Sequence, residues 1–184
     1  MPTHVALLRG INLGPHKRVA MPALRALVAA LGHTDVATYI ASGNVVFTAA
    51  AADDLAAELE GAIGAELGVE CRVVVLTCAE LDRAVADNPY PDEPDPKKVH
   101  AFFLTGEPSA ATREHVAHAQ ERAAAKGSRD EAAVVGRVLY LHTPDGFGRS
   151  ELAAELSKGA KRNPAEGTAR NWATVTRLRT MCGA

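Results

Sequence analysis

The stretch VATYIASGNVVFT, residues 36–48, decides the fold because it contains two β-rich runs on either side of a tight turn. Residues 36–41 and 45–48 are rich in β-branched and aromatic side chains, which favour strands. The tripeptide Ser42-Gly43-Asn44 joins them, and glycine and asparagine tolerate the positive φ that a tight turn needs. The stretch therefore predicts a β-hairpin.

The segments around this hairpin complete a regular order of elements. Residues 4–8 are an apolar run typical of a buried strand, and residues 21–31 have the apolar spacing of a helix. After the hairpin, two aspartates can cap a helix over residues 55–67, and residues 71–76 return as a strand. The order β-α-β-β-α-β predicts a ferredoxin-like half, with two helices on one face of a four-stranded sheet.

The second half of the chain repeats this order in outline. It follows residues 88–96, where four prolines among nine residues exclude a paired strand or a continuous helix. A short helix over residues 80–86, capped by Thr77, precedes this segment. The elements predicted after it are a strand over 99–104, a helix beginning at Ser109, a hairpin of 132–135 and 138–142 that turns at Gly136-Arg137, and helices over 151–158 and 168–181.

We therefore predict an α+β protein whose two ferredoxin-like (βαββαβ-type) halves pack into one compact unit. The first half spans residues 1–87, residues 88–97 form a proline-rich linker, and residues 98–184 form a second βαββα-type half with a C-terminal helix. At 184 residues, 47% of them hydrophobic and 23% charged, the chain has the length and composition of a folded globular protein.

Composition also predicts a location. The apolar run at the start is too short for a signal peptide, and no stretch approaches the length of a membrane span. The three cysteines are odd in number and lack metal-ligand spacing, which argues against structural disulfides and against a zinc site. The sequence therefore predicts a cytoplasmic protein in a reducing compartment, without contact to a membrane.

Charge is distributed unevenly along the chain. Residues 1–32 carry four arginine or lysine residues and no acid, and six bases face one acid from residue 158 onward. Between residues 53 and 95, by contrast, twelve acids face only Arg72 and Arg83. If the two basic ends meet in the fold, they form a positive surface suited to an anion; the alternative is that these are scattered, solvated charges.

Three segments carry a resemblance to a known family. ALLRGINLG (6–14), TYIASGNVVF (38–47) and TARNWATV (168–175) resemble the bacterial family called domain of unknown function 1697, from the first strand to the last helix. This chain departs from the family pattern at Pro15, where a second glycine is common, and at Ala173, where asparagine is common. The resemblance implies the fold of two ferredoxin-like halves and supplies no established activity, cofactor or catalytic residue.

Polar residues inside these three segments are the candidate binding residues. We predict that they converge on one cleft for an anionic group, with two arginines as charged donors, because loops after buried strands and first turns of helices expose backbone N–H groups. The alternative is that the asparagines and the serine satisfy turn backbone while Arg170 and Asn171 bond the neighbouring half. The candidates are Arg9, Asn12, Ser42, Asn44, Arg170, Asn171 and Thr174.

Other motifs favour structural roles. His115 and His118 have the spacing of a metal-binding pair, but a helical pair without a third ligand is usually solvated, so no metal or other cofactor is predicted. Trp172 shares an apolar helical stripe and is expected to pack in the core. Neither Cys71 nor Cys78 has a recognisable base beside it, so a thiol nucleophile is not predicted.

The function predicted from these observations is a binding module for a small phosphate-bearing or other anionic ligand, including a nucleotide, or for RNA. RNA binding by such a sheet requires aromatic side chains on its face, and Tyr39, Phe47, Phe102 and Phe103 are the available ones. The alternatives are an enzyme acting on a small anionic metabolite, with Tyr39 and His16 as titrating groups, and an accessory protein-interaction domain. The sequence does not specify an oligomeric state.

Overall fold

The computed structural model describes residues 1–14, 17–50, 54–159 and 167–183. These residues form two four-stranded antiparallel sheets and six α-helices. The elements in chain order are β1 (His4–Leu8), α1 (Met21–Ala30), β2 (Thr34–Tyr39), β3 (Asn44–Thr48), α2 (Leu55–Leu67), β4 (Val73–Thr77), α3 (Cys78–Ala86), β5 (Val99–Leu104), α4 (Ala110–Ala125), β6 (Glu131–Val135), β7 (Val138–His142), α5 (Glu151–Gly159), β8 (Gly167–Asn171) and α6 (Trp172–Met181), with a 3₁₀ turn at Phe147–Arg149.

The chain divides into two compact units, one formed by Met1–Val85 with Thr176–Ala184 and one formed by Ala86–Val175. The sheet of the first unit has the strand order β2-β3-β1-β4. Its central strand β1 pairs antiparallel with β3 and with β4, so that His4 lies opposite Phe47 on one side and opposite Thr77 on the other. The hairpin predicted from residues 36–48 is confirmed as β2 and β3.

The core of the first unit lies between its sheet and helices α1 and α2. Alternate residues of β1 and β3 face the helices because successive strand residues point to opposite faces. The two helices contribute residues at the three- and four-residue spacing of an amphipathic helix. The buried residues of this cluster include Ala6, Leu8, Leu24, Val28, Val45, Phe47, Leu59 and Ile63.

Side-chain caps fix the starts of three helices where the sequence predicts them. Asp54 accepts hydrogen bonds from the backbone N–H groups of Ala56 and Ala57, both at 3.0 Å, at the start of α2. At the start of α3, the Glu80 carboxylate accepts from the Thr77 backbone N–H at 2.8 Å, and the Thr77 hydroxyl accepts from the Glu80 N–H at 3.1 Å. Ser109 caps α4 in the same way. Asp53, the other predicted cap of α2, lies outside the described residues.

The second unit contains the sheet of order β6-β7-β5-β8 and helices α4 and α5. A small core of Ala119, Ala123, Leu141 and Leu152 lies between the two helices and the sheet. The Glu155 carboxylate of α5 is 3% exposed. It accepts hydrogen bonds from Arg122 of α4, from Lys126 at the C-cap of α4 and from Lys158 of α5. These hydrogen bonds, of which the one from Lys126 has the largest effect, lower the pKa of Glu155 to about 2.

Strand β8 corrects the prediction that a helix begins at Thr168. Residues Gly167–Asn171 instead pair antiparallel with β5, with Gly167 opposite Leu104 and Asn171 opposite His100. Gly167 lies so close to the neighbouring strand that a Cβ atom there would lie 2.3 Å from the Phe103 carbonyl oxygen. The helix begins only at Trp172, after Asn171 has capped it. Pairing with a distant strand therefore overrides the local helical pattern.

The prediction that the cysteines form no structural disulfide was wrong. Cys78 and Cys182 of the first unit form a disulfide across 104 residues of sequence, and their Cα atoms lie 5.8 Å apart. Cys71 is the free cysteine. An odd number of cysteines leaves one thiol unpaired but does not exclude a pair among the others.

Among the described residues, no helix combines the length and the apolar character that crossing a membrane requires.

Candidate functional site

The loop after β1 is held in place by the side chain of Asn12. Its amide nitrogen donates to the carbonyl oxygens of Val19 at 3.0 Å and Ala41 at 2.7 Å, and its amide oxygen accepts from the Val19 N–H at 2.9 Å. Asn12 also has a φ of 55°, a conformation that asparagine adopts more readily than most residues. The structure thus gives this predicted binding residue three backbone partners that close the loop and attach it to the hairpin turn.

The hairpin turn packs directly on the same loop. Gly43 has a φ of 79°, and a Cβ atom there would lie 2.7 Å from Ile11 Cδ1 and 2.8 Å from Leu8 Cβ. The Leu8 N–H donates to the Gly43 carbonyl at 2.8 Å. Asn44 is buried and donates through Nδ2 to the Tyr39 carbonyl at 2.9 Å and to the Ser42 hydroxyl at 3.0 Å. Ser42 and Asn44 therefore contribute to the internal hydrogen bonding of the turn.

A cleft of about 540 Å³ opens beside this loop in the first unit. Its walls come from the end of β1, from the returning part of the loop, from α2 and from the segment that enters β4. The lining residues are Arg9, Gly10, Lys17, Glu60, Glu70, Cys71 and Arg72. The volume lies within the range of about 300–1,000 Å³ that small-molecule sites occupy.

The lining charges leave the cleft with an excess of positive charge. The Glu60 carboxylate accepts hydrogen bonds from Arg72 at 3.0 Å and from the Val73 N–H at 2.8 Å. The Lys17 ammonium donates to the Glu70 backbone carbonyl at 2.9 Å, which leaves its charge uncompensated by that contact. Three cationic side chains therefore face two carboxylates, one of which is already paired.

Arg9 is the cleft residue best placed to bind an anion. Its backbone N–H donates to the Arg72 carbonyl at 2.8 Å, which fixes the residue at the end of β1. Its side chain is exposed, and no other described residue forms a hydrogen bond or an ion pair with its guanidinium. Because its backbone is fixed and its guanidinium is free, Arg9 can donate two parallel hydrogen bonds to a phosphate or a carboxylate.

Cys71 lines the same cleft but is a poor nucleophile. Burial raises the pKa of its thiol and Glu60 raises it further, while Lys17 acts in the opposite direction. The reactive form of a cysteine is the thiolate, so a raised pKa lowers its reactivity near neutral pH.

The three candidate residues of the second unit lie at the junction of β8 and α6. Arg170 is 8% exposed and donates through one nitrogen to the Thr168 hydroxyl and the Ala169 carbonyl, both at 2.8 Å. Burial lowers the pKa of its guanidinium to about 10, so Arg170 keeps its charge at neutral pH. The Asn171 side chain accepts from the Thr174 N–H at 2.9 Å and caps α6, and Thr174 is buried.

The remaining sequence candidates have structural partners. Phe47 and Phe103 are at most 1% exposed and so are unable to stack on bases. His115 contacts the Leu156 carbonyl at 3.0 Å, and His118 lies beside two glutamates. Within the described ranges, no three His, Cys, Asp or Glu side chains are close enough together to hold a metal ion. His16 lies outside the described residues.

Most of the cleft was not predicted from the sequence. Lys17 belongs to the basic N-terminal stretch and Arg72 is one of two bases in the acidic stretch, so both carried a weak charge signal. Glu60, Glu70 and Cys71 carried no such signal, because their proximity to Arg9 depends on the pairing of β1 with β4.

Comparison with known proteins adds a family and a fold. The family described as "Protein of unknown function (DUF1697)" matches residues 1–140. The solved structure of the conserved bacterial protein SP0830 from Streptococcus pneumoniae is similar over 98% of both chains, with a TM-score of 0.71 and 20% sequence identity. At this identity the likeness concerns the fold alone. No curated protein matches the sequence of this chain.

Proposed function

Because its match spans residues 1–140 of 184, the chain belongs to the DUF1697 family of proteins of unknown function, and we propose that it is a binding module for a small phosphate-bearing anion. The observation that carries the proposal is the free guanidinium of Arg9 in a cleft with excess positive charge. Arg9 donates to the anion, and Lys17 adds a second positive charge. Asn12 and the hairpin turn hold the loop in place.

The proposed architecture of each half is ferredoxin-like, and the observed strand orders support it. Both sheets place the first strand of the half between its third and fourth strands, as a βαββαβ arrangement requires. The boundaries at residues 1–87, 88–97 and 98–184 stay a prediction, as does a location in the cytoplasm. The participation of Arg170, Asn171 and Thr174 in anion binding also stays a prediction.

A mononucleotide or a smaller phosphate compound suits the cleft better than RNA. The volume of about 540 Å³ accommodates a ligand of that size. Single-stranded RNA binds ferredoxin-like sheets by stacking bases on aromatic side chains, and two of the four available aromatic side chains are buried. The proposed specificity therefore depends on charge and on hydrogen bonds to a phosphate group.

The proposal is tested by titrating the full chain with inorganic phosphate and with a nucleoside monophosphate in an isothermal calorimeter at low salt. Arg9→Gln should weaken binding by roughly tenfold, because a hydrogen bond from a charged donor contributes about 1.5 kcal/mol. Arg83→Gln is the matched control: it removes the same charge from an exposed residue of α3 that does not line the cleft. This variant should bind as the parent chain does.

Equal losses in the two variants would show that binding depends only on net charge and would exclude the cleft. Absence of binding by the parent chain at millimolar phosphate would exclude the function itself. Arg170→Gln, which removes the positive charge in the second unit, tests the remaining prediction: a folded variant with unchanged affinity would remove Arg170 from the binding site.

A further inference from the structure

Two cysteines that the proposed function does not use lie at helix ends of the first unit. Cys78 is the first residue of α3, and Cys182 directly follows α6. Their Cα separation of 5.8 Å is typical of a disulfide. Both residues are partly exposed, so a small reagent can reach them. Neither lines the Arg9 cleft, which separates this pair from the proposed anion site.

Non-covalent contacts hold the same two helix ends together. Arg179 of α6 donates through Nε to the Asp82 carboxylate of α3 at 2.5 Å, and Leu178 of α6 is 1% exposed. The Arg179–Asp82 pair is partly exposed and contributes little on its own. This pair and the burial of Leu178 both fix the end of α6 within the first unit without the bond between the two sulfur atoms. A dithiol that stays aligned in this way can re-form its disulfide readily.

We propose that Cys78 and Cys182 are a reversible thiol–disulfide modification site that exchanges with a low-molecular-weight disulfide. One protein thiolate attacks a sulfur of the small disulfide, forms a mixed disulfide and releases one small thiolate. The second protein thiolate then displaces the remaining small thiolate and closes the Cys78–Cys182 bond. Two electrons pass from the protein to the small disulfide, and the two protons of the protein thiols end on the two small thiols that are released.

The bond controls how firmly the C-terminal end of α6 is attached to α3. The loop that it closes contains the whole of the second unit, because residues 79–181 lie between the two cysteines. In the disulfide form the end of α6 is therefore covalently fixed to the first unit. In the dithiol form it keeps only its non-covalent contacts, the Arg179–Asp82 pair among them, so that local opening is more frequent.

The test equilibrates the native full-length chain with a series of reduced and oxidised glutathione mixtures, followed by acid quenching, alkylation and peptide mass spectrometry. The expected result is that Cys78 and Cys182 lose alkylation together, in one transition that follows the square of the reduced glutathione concentration. Cys71 is the internal control and should remain alkylated throughout. Cys78→Ser and Cys182→Ser should each stop at a glutathione mixed disulfide on the remaining cysteine and so abolish the joint transition, without unfolding the chain.

Limited trypsin digestion measures the structural consequence in the same samples. Cleavage after Arg177 and Arg179 should be several-fold faster in the dithiol form, whereas cleavage after Arg25 in α1 should not change. Three alkylated cysteines at every glutathione ratio, or a bond that remains closed at every ratio, would overturn the reversible site. Equal cleavage of α6 in the two forms would overturn its control of the helix end.

Discussion

Replacing Asn12 by alanine removes the side chain that closes the loop beside the proposed anion site. The Val19 N–H, which belongs to a residue 4% exposed, loses its acceptor, and two carbonyl oxygens lose a donor. An unsatisfied buried N–H costs about 1–3 kcal/mol, and the carbonyls add less because Ala41 can bond water. Alanine at a φ of 55° adds about 1 kcal/mol of backbone strain. We expect Asn12→Ala to lower the free energy of unfolding by about 3 kcal/mol.

Asn12→Gly is the matched control because glycine adopts a positive φ at no steric cost. It removes the same hydrogen bonds and should therefore cost about 2 kcal/mol, so the two variants separate hydrogen bonding from backbone strain. Urea unfolding followed by circular dichroism measures the change in the free energy of unfolding. Amide hydrogen exchange at Val19 reports the lost hydrogen bond directly and should be faster in both variants.

The reasoning is refuted if both variants unfold within about 0.5 kcal/mol of the parent chain, the range of an ordinary surface substitution. It is also refuted if Val19 exchanges at the parent rate in either variant. If alanine and glycine lower the free energy of unfolding equally, only the contribution from backbone strain is refuted. The whole destabilisation would then come from the lost hydrogen bonds.

Three further predictions concern stability, pH and reactivity. Gly167→Ala should destabilise the chain by about 3 kcal/mol in urea unfolding, because its Cβ atom would overlap the Phe103 carbonyl, whereas Gly64→Ala in α2, where a Cβ meets nothing, should stabilise it slightly. The lowered pKa of Glu155 means that its contribution to stability is complete above the unfolded value of 4.5 and is lost as pH falls toward 2; a Glu155→Gln chain should show a flatter decline of stability between those pH values. Iodoacetamide should react with Cys71 at a rate whose pH midpoint lies above that of an unhindered cysteine, because burial raises the pKa of the thiol; a midpoint at or below the ordinary value would contradict this.

Local signals were sufficient to predict most of the secondary structure. The strand over residues 4–8 has the predicted bounds, and the caps at Asp54 and Ser109 mark the starts of their helices. These signals act within a few residues, so the neighbouring sequence is sufficient to predict where each strand or helix begins. Strand β8 was missed for the opposite reason, since its conformation depends on pairing with β5 and on the close approach of Gly167 to that strand.

The candidate site was predictable only where a motif residue faces the cleft. Arg9 follows a buried strand, and its position at the strand end could be predicted from the hydrophobic run before it. Cys71 and Arg72 reach the same cleft because they lie just before β4, which is the neighbour of β1 in the sheet. The Cys78–Cys182 pair was missed for the same physical reason, because the fold alone brings together residues so far apart in sequence.

Arg9 and Asn12 contribute to the proposed site in different ways, and this difference can be measured. The backbone around Arg9 is fixed because Leu8 donates to the Gly43 carbonyl and Arg9 donates to the Arg72 carbonyl, so only the guanidinium has to be ordered when a ligand binds. Arg9→Gln should therefore lower affinity without changing the free energy of unfolding. Asn12→Gly should lower stability, and it should weaken binding only by loosening the loop that positions Lys17. A binding loss in Asn12→Gly as large as that in Arg9→Gln would instead place Asn12 in direct contact with the anion.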